Sequence, residues 1–287
     1  MYKSIVTEIV KRQKPKLLVI SAAAFSQGNW NLTDEVYLRK WIDNMPMSQN
    51  KLDTVKTIPK NINKDDEKVK DNISDTLYFP LEKYHGNWKD PEAVYTSFVT
   101  RAYMRLSGGG YLKGFYSKTG ITGGRDNLAN IGQPTKEAYM LTDECRAYLK
   151  ELLSYCNKLG IEHVLLLQPP HETQAADKSG LEQIESITKE YGYDFLDLST
   201  DYESIAGIDD SHDFADFEHL NAYGAKKLTA YIGDMAVNQY GIKSDTAKSE
   251  LSRWKKSVKR TKKALKMARE YTDRGEAQVV GEYEAAK

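Results

Sequence analysis

At 287 residues, with 40% hydrophobic and 29% charged side chains and no net charge, the chain has the composition of one globular α/β domain, with or without appendages. That balance gives no sign of nucleic-acid binding, and no run of about 18 apolar residues offers a membrane span. The opening MYKSIVTEIVKRQKPK is amphipathic and mixed in charge rather than signal-like.

The first element is a helix over residues 2–13, stopped at Lys14-Pro15 because the residue before a proline is pushed out of the α region. Lys16–Ser21 (KLLVIS) is a short continuous apolar run, the pattern of a parallel strand buried on both faces. A long irregular stretch is expected to about residue 90, with a polar solvent loop at 60–72. Residues 107–135 are glycine-rich and without periodicity, which reads as a loop region or a short hairpin. Thr142 then caps a strong helix with Ala147, Leu149, Leu152, Leu153 and Cys156 at apolar positions, and Gly160 ends it. Cys145 and Cys156 both fall inside this helix, separated by about 16 Å of rise, too far for a disulfide. They read as small buried hydrophobes and carry no information on compartment. EHVLLLQPP is a second strand, 179–191 a helix, and Tyr193–Leu198 a third strand.

Next comes DFADFEHLNAYGAKKLTAYI, residues 213–232, which sets Asp216 three residues before His219. A histidine acting as general base needs a partner that fixes its tautomer and stabilises the imidazolium. Asp-x-x-His can supply both from one tight turn. Asn221 is a plausible cap for the helix that follows, with Ala222, Ala225, Leu228, Thr229 and Ile232 at helical spacing. The order strand, helix, strand, helix, strand, loop, helix predicts a three-layer αβα fold on a parallel sheet. In such sheets ligands collect at the carboxyl ends of the strands. Here Ser21-Ala22-Ala23, Gln168-Pro169-Pro170-His171 and the stretch from Ser199 to His219 would converge there.

The remaining residues change character. Between Lys243 and Arg274 stand twelve Lys and Arg against four acids, with Leu251, Trp254, Val258, Leu265 and Ala268 on a discontinuous stripe. The simpler reading, and the preferred one, is a solvated helix packing Trp254 on the domain; the sharper one is an arm that touches an anionic surface or partner. The division expected is an α/β domain over 1–242 and a basic helical tail over 243–287.

The strings KPKLLVIS, MPMSQNKL (45–52), LYFPLEKYHGNWKD (77–90), the strand into QPP (168–170) and DFADFEHLNAYGAKKLT (213–229) together resemble the SGNH/GDSL hydrolase superfamily. More narrowly they resemble its bacterial envelope branch, linked to O-acetylation and D-alanylation of surface polymers. The resemblance spans residues 14 to about 232, and Asp-x-x-His-Leu-Asn-x-x-Gly-Ala is its most specific part. It implies an SGNH or flavodoxin-like α/β fold, an esterase or acyltransferase activity on acylated cell-surface polysaccharide or a small ester, an envelope location and no cofactor. By match, His219 is the base and Asp216 its orienter. His85 and Trp88 are weaker candidates for the substrate groove, the indole suited to stacking on a sugar face.

The chain departs from that family at the nucleophile. Family members carry it on a Gly-Asp-Ser-type turn after a first strand that precedes the helix and strand opening this chain. The strand, the serine and a possible membrane anchor are therefore expected upstream, and the fold is expected to be incomplete at its N-terminal side. Ser26, Ser107 and Ser211 stand in no nucleophile-elbow context. Where the family carries an oxyanion-hole asparagine, this chain has Ala22 to Ala24, with Asn29 and Asn31 only later. Two other readings stand beside the catalytic one. The fold can serve as a non-catalytic glycan-binding or scaffolding module, or His212, Asp213, Asp216 and His219 can ligate a metal, a pattern that in loops more often serves hydrogen bonding. His163 is read as structural, and His171 has only its place at a strand end to recommend it.

Overall fold

A computed structural model describes residues 2–26, 35–58, 77–78, 89–92, 94–95, 99, 102, 112–122, 140–170, 178–216, 219–243, 247–281 and 284. Helix α1 (Tyr2–Arg12) leads into β1 (Leu17–Ser21), then α2 (Ala23–Ser26), α3 (Glu35–Ile42) and α4 (Gln49–Thr57). After β2 (Ser117–Lys118) come α5 (Asp143–Lys158), β3 (His163–Gln168), α6 (Ser179–Glu190), β4 (Asp194–Asp197) and α7 (Tyr202–Ala206). The chain closes with α8 (Ala222–Asn238), α9 (Lys248–Asp273) and β5 (Val279–Val280).

The main sheet is parallel, in the order β1-β3-β4, with Leu17 opposite His163 and Leu165 opposite Asp194. Side chains alternate across it, as the two-residue period of a strand requires. Ile20, Val164, Leu166 and Phe195 join one core with Val6, Leu149, Leu152, Leu153, Ile184 and Ile187 of α1, α5 and α6. Leu167 and Leu196 join another with Tyr202, Phe214 and Leu228. Helices therefore cover both faces, the mixed α/β architecture read from the strand–helix alternation. Each fully buried leucine contributes about 1.5–3 kcal/mol by leaving water. The end signals of α5 behave as read: Thr142 accepts from the amide of Cys145, and Gly160 sits at φ +68°, past the last turn. Both cysteines are buried, and burial pushes each thiol up to about 11.

Three expectations need correction. β1 is not buried on both faces: among the described residues it is the edge of the sheet, and Val19 is 41% exposed. The stretch read as irregular up to residue 90 contains α3 and α4. The sequence of α4, QNKLDTVKT, is mostly polar and is held by tertiary partners that sequence periodicity does not display, while α3, EVYLRKWI, puts Leu38 and Ile42 into a small buried cluster with Val55 and Leu77. The Asn50 amide donates to the Ser4 carbonyl at 3.0 Å, the Thr54 hydroxyl to the Ser4 hydroxyl at 2.6 Å, and the Ser48 hydroxyl caps Lys51 N–H. Within 107–135, the described residues include a two-residue strand, Ser117–Lys118, whose partner is remote in sequence. It pairs antiparallel with Val279–Val280 from the end of the chain.

The basic tail is the helix expected, and its carboxyl half is built into the fold. Ala264 and Ala268 are fully buried with Leu112, Ala222 and Val280. Beyond it the Thr119 N–H donates to the Gln278 carbonyl at 3.0 Å, and the Gly120 N–H to the Thr272 hydroxyl at 3.2 Å. Trp254 packs on the domain only in part: it is 48% exposed, with the Lys113 ammonium 4.9 Å from its ring centre. Among the described residues no helix is long and apolar enough to cross a membrane.

Candidate active site

The loop from Asp209 to Asn221 is anchored in the core by the fully buried Phe214 and shaped by hydrogen bonds. Phe214 and Leu220 form an isolated antiparallel bridge, and the Ala215 N–H donates to the His219 carbonyl at 2.8 Å. This sets 214–216 against 219–220 and brings Asp216 beside His219. Asn221 locks the base of the turn. Its oxygen accepts from the amides of Tyr223 and Gly224 as the N-cap of α8, while its amide nitrogen donates to the carbonyls of His212 at 2.7 Å and Gly120 at 3.2 Å. The side chain is fully buried and uses both ends, so only a neutral amide fits.

Gly224 has a steric reason. A Cβ there would stand 2.5 Å from the Asp213 carbonyl oxygen and 2.9 Å from Leu220 Cδ2. The helix can start this close to the loop only without a side chain. Asp213 itself is fully buried, accepting from the Asp209 amide at 2.8 Å and the Lys227 ammonium at 2.6 Å, with the His212 ring 3.0 Å from its other oxygen.

At the tip, Asp216 Oδ1 lies 2.8 Å from His219 Nδ1. The Lys118 ammonium donates to Asp216 Oδ2 at 2.9 Å and lies 3.1 Å from the same Nδ1. The three side chains are about one-third exposed, 39% for His219. An ionised carboxylate only accepts, so the proton on the Asp216–His219 contact belongs to Nδ1. An Nδ1–H has no lone pair for Lys118, whose hydrogen bond therefore goes to the carboxylate. Nε2 is left with a lone pair, and among the described residues it takes no hydrogen bond. This is the tautomer a general base needs.

The four residues weighed as a metal cluster form two separate pairs, His212 with Asp213 and His219 with Asp216, each with a lysine on the second carboxylate oxygen. Donor atoms already satisfied in this way do not converge on a cation. Of the serines considered, Ser211 gives its hydroxyl to Asp209 at 2.7 Å, Ser26 closes α2, and Ser107 lies outside the described residues. His85, Trp88 and His171 also lie outside them. His163 stacks at a tilt on Tyr240, 4.8 Å between ring centres, a packing role. Lys118 escaped the sequence reading: it is 98 residues from Asp216, on a two-residue strand inside a glycine-rich stretch.

Compared with known proteins, the chain matches no family model, no curated protein and no solved structure.

Proposed function

We propose that the Asp216–His219 turn is the acid–base part of an SGNH-type ester hydrolase or O-acyltransferase acting on acylated cell-surface polysaccharide in the bacterial envelope. The observation that carries this reading is the 2.8 Å contact between Asp216 Oδ1 and His219 Nδ1 on a partly exposed ring. Nε2 takes the proton of an attacking hydroxyl as its oxygen forms a bond to the acyl carbonyl carbon. The imidazolium faces Asp216 while it carries the charge, then returns the proton to the departing alkoxide as the ester bond breaks. Lys118 is a positioning residue: its ammonium holds the second carboxylate oxygen and so fixes which oxygen faces the ring. Support also comes from Asn221 and Gly224, which give the Asn and Gly of the Asp-x-x-His-Leu-Asn-x-x-Gly string definite structural tasks.

The test is turnover of p-nitrophenyl acetate and of an O-acetylated polysaccharide by the full chain, beside His219→Ala. Loss of a positioned base typically removes about 10²- to 10⁴-fold of rate, and that loss is the expected result. Equal turnover by wild type and variant contradicts the proposal.

One observation favours a second reading, a non-catalytic glycan-binding module. Among the described residues the polar groups within hydrogen-bond distance of the His219 ring are those of Asp216 and Lys118, and no serine hydroxyl is among them. Calorimetric binding of the polysaccharide with no turnover in any variant selects that reading.

A further inference from the structure

Helix α9 has two unlike halves. Ala264, Ala268 and Thr272 are buried in the body of the protein. Toward the amino end the apolar residues face water: Leu251, Trp254 and Val258 are 41%, 48% and 50% exposed. Spaced i, i+3, i+7, they form one row on the helix surface. Lys255, Lys259 and Lys262 run beside that row, and the six side chains line one shallow groove. From 248 to 263 stand eight basic residues (Lys248, Arg253, Lys255, Lys256, Lys259, Arg260, Lys262, Lys263) and one acid, Glu250, a net charge of 8 − 1 = +7. The whole chain is neutral, so this charge is gathered on one segment. Ser257, 5% exposed, marks the inward side of the same turns.

We propose that the amino-terminal half of α9 is a contact surface for a lipid bilayer rich in anionic phospholipid. Trp254, Leu251 and Val258 enter the boundary between headgroups and acyl chains, and the lysines reach the phosphates while their stems lie along the apolar row. The charge selects an anionic partner and the apolar row selects its kind. A nucleic acid would use the lysines and leave Leu251 and Val258 without a role. A bilayer uses both, and Trp is a side chain suited to that boundary. Because the carboxyl half of the helix is packed into the body, the contact fixes the protein's orientation. Trp254 and Thr272, whose hydroxyl holds Gly120, are about 27 Å apart along the helix. This inference stands apart from the catalytic reading.

The test is co-sedimentation of the full chain with vesicles of phosphatidylcholine, with and without phosphatidylserine, at low and high salt. Binding is expected only to the phosphatidylserine vesicles, with loss at high salt and a blue shift of tryptophan emission that Trp254→Phe removes. Each charge near an anionic surface changes affinity about five-fold, so reversing Lys255, Lys259 and Lys262 to Glu abolishes sedimentation. The same reversal at exposed Lys56, Lys158 and Lys189 leaves it unchanged and checks that net charge alone is not the cause. Trp254→Ala, with every charge kept, weakens binding about ten-fold. The proposal is overturned by equal binding to uncharged vesicles, by binding that survives the lysine reversal, or by affinity indifferent to Trp254. Tighter binding to duplex DNA than to the vesicles overturns it in favour of a nucleic-acid surface.

Discussion

The sheet core and the Asp209–Gly224 loop are held together by different balances of apolar burial and hydrogen bonding. The core around Leu149, Leu152, Leu166 and Ile184 is fully buried and apolar. Its energy comes from area removed from water, which is non-directional and forgiving of shape. The loop has one apolar anchor, Phe214, and beside it buries polar groups: Asp213 and Asn221 are fully buried, and each of their polar ends has a partner in the fold. A buried polar atom that loses its partner bears the full cost of desolvation. The core should therefore tolerate a change of shape and resist a change of volume, while the loop should fail on the change of a single atom.

Substitution pairs can break that contrast. In the core, Leu166→Ala removes volume from the central strand and is expected to cost about 3–5 kcal/mol, whereas Leu166→Met should cost less than about 1.5 kcal/mol. In the loop, Asn221→Asp is nearly isosteric and keeps the cap, yet it replaces two donors with an acceptor facing the carbonyls of His212 and Gly120. Its expected cost is about 2–3 kcal/mol. Urea melts of the three variants decide the matter: if Asn221→Asp is as mild as Leu166→Met, the two regions are not held differently. Gly224→Ala sharpens the same point on the steric side, with an expected loss of about 1–3 kcal/mol as α8 is pushed from the Asp213 carbonyl.

A separate effect is one of pH. Burial raises Cys145 and Cys156 from an ordinary 9.0 to about 11, so the native state holds both thiol protons more tightly than the unfolded chain. Their contribution to stability is complete below pH 9 and is lost as the pH rises toward 11. Melting temperatures should decline across that window, and the decline should flatten in the Cys145→Ala/Cys156→Ala double variant.

The same contrast explains what was legible in the sequence. EHVLLLQ announces a strand because burial leaves a continuous apolar run, KLLVIS carries the same kind of run although only Ile20 of β1 is buried, and α5 carries both its apolar face and its Thr142 cap. The edge position of β1 is a matter of neighbours and leaves no mark in its own residues. α4 is not legible because a mostly polar segment becomes helical here through partners such as Ser4, remote in sequence, and α3 is a short apolar segment whose buried partners Val55 and Leu77 lie outside it. In the candidate site, Asp216, His219 and the Asn221 cap are local and could be read from spacing. Lys118 could not, since it is placed by the pairing of Ser117–Lys118 with Val279–Val280 and by the grip of Thr272 on Gly120. The basic stripe was visible as composition, but which half of it faces water is a property of the packed helix.

The central claim is that the Asp216 turn presents His219 as a base with its Nε2 lone pair toward the reactant. Nitrogen-15 shifts of the His219 ring, recorded at a pH where the ring is neutral, test this without any substrate. The account predicts a proton on Nδ1 and an unprotonated Nε2 in the wild type, with that preference lost in Asp216→Ala. A wild-type ring protonated on Nε2, its Nδ1 accepting from Lys118, would contradict it.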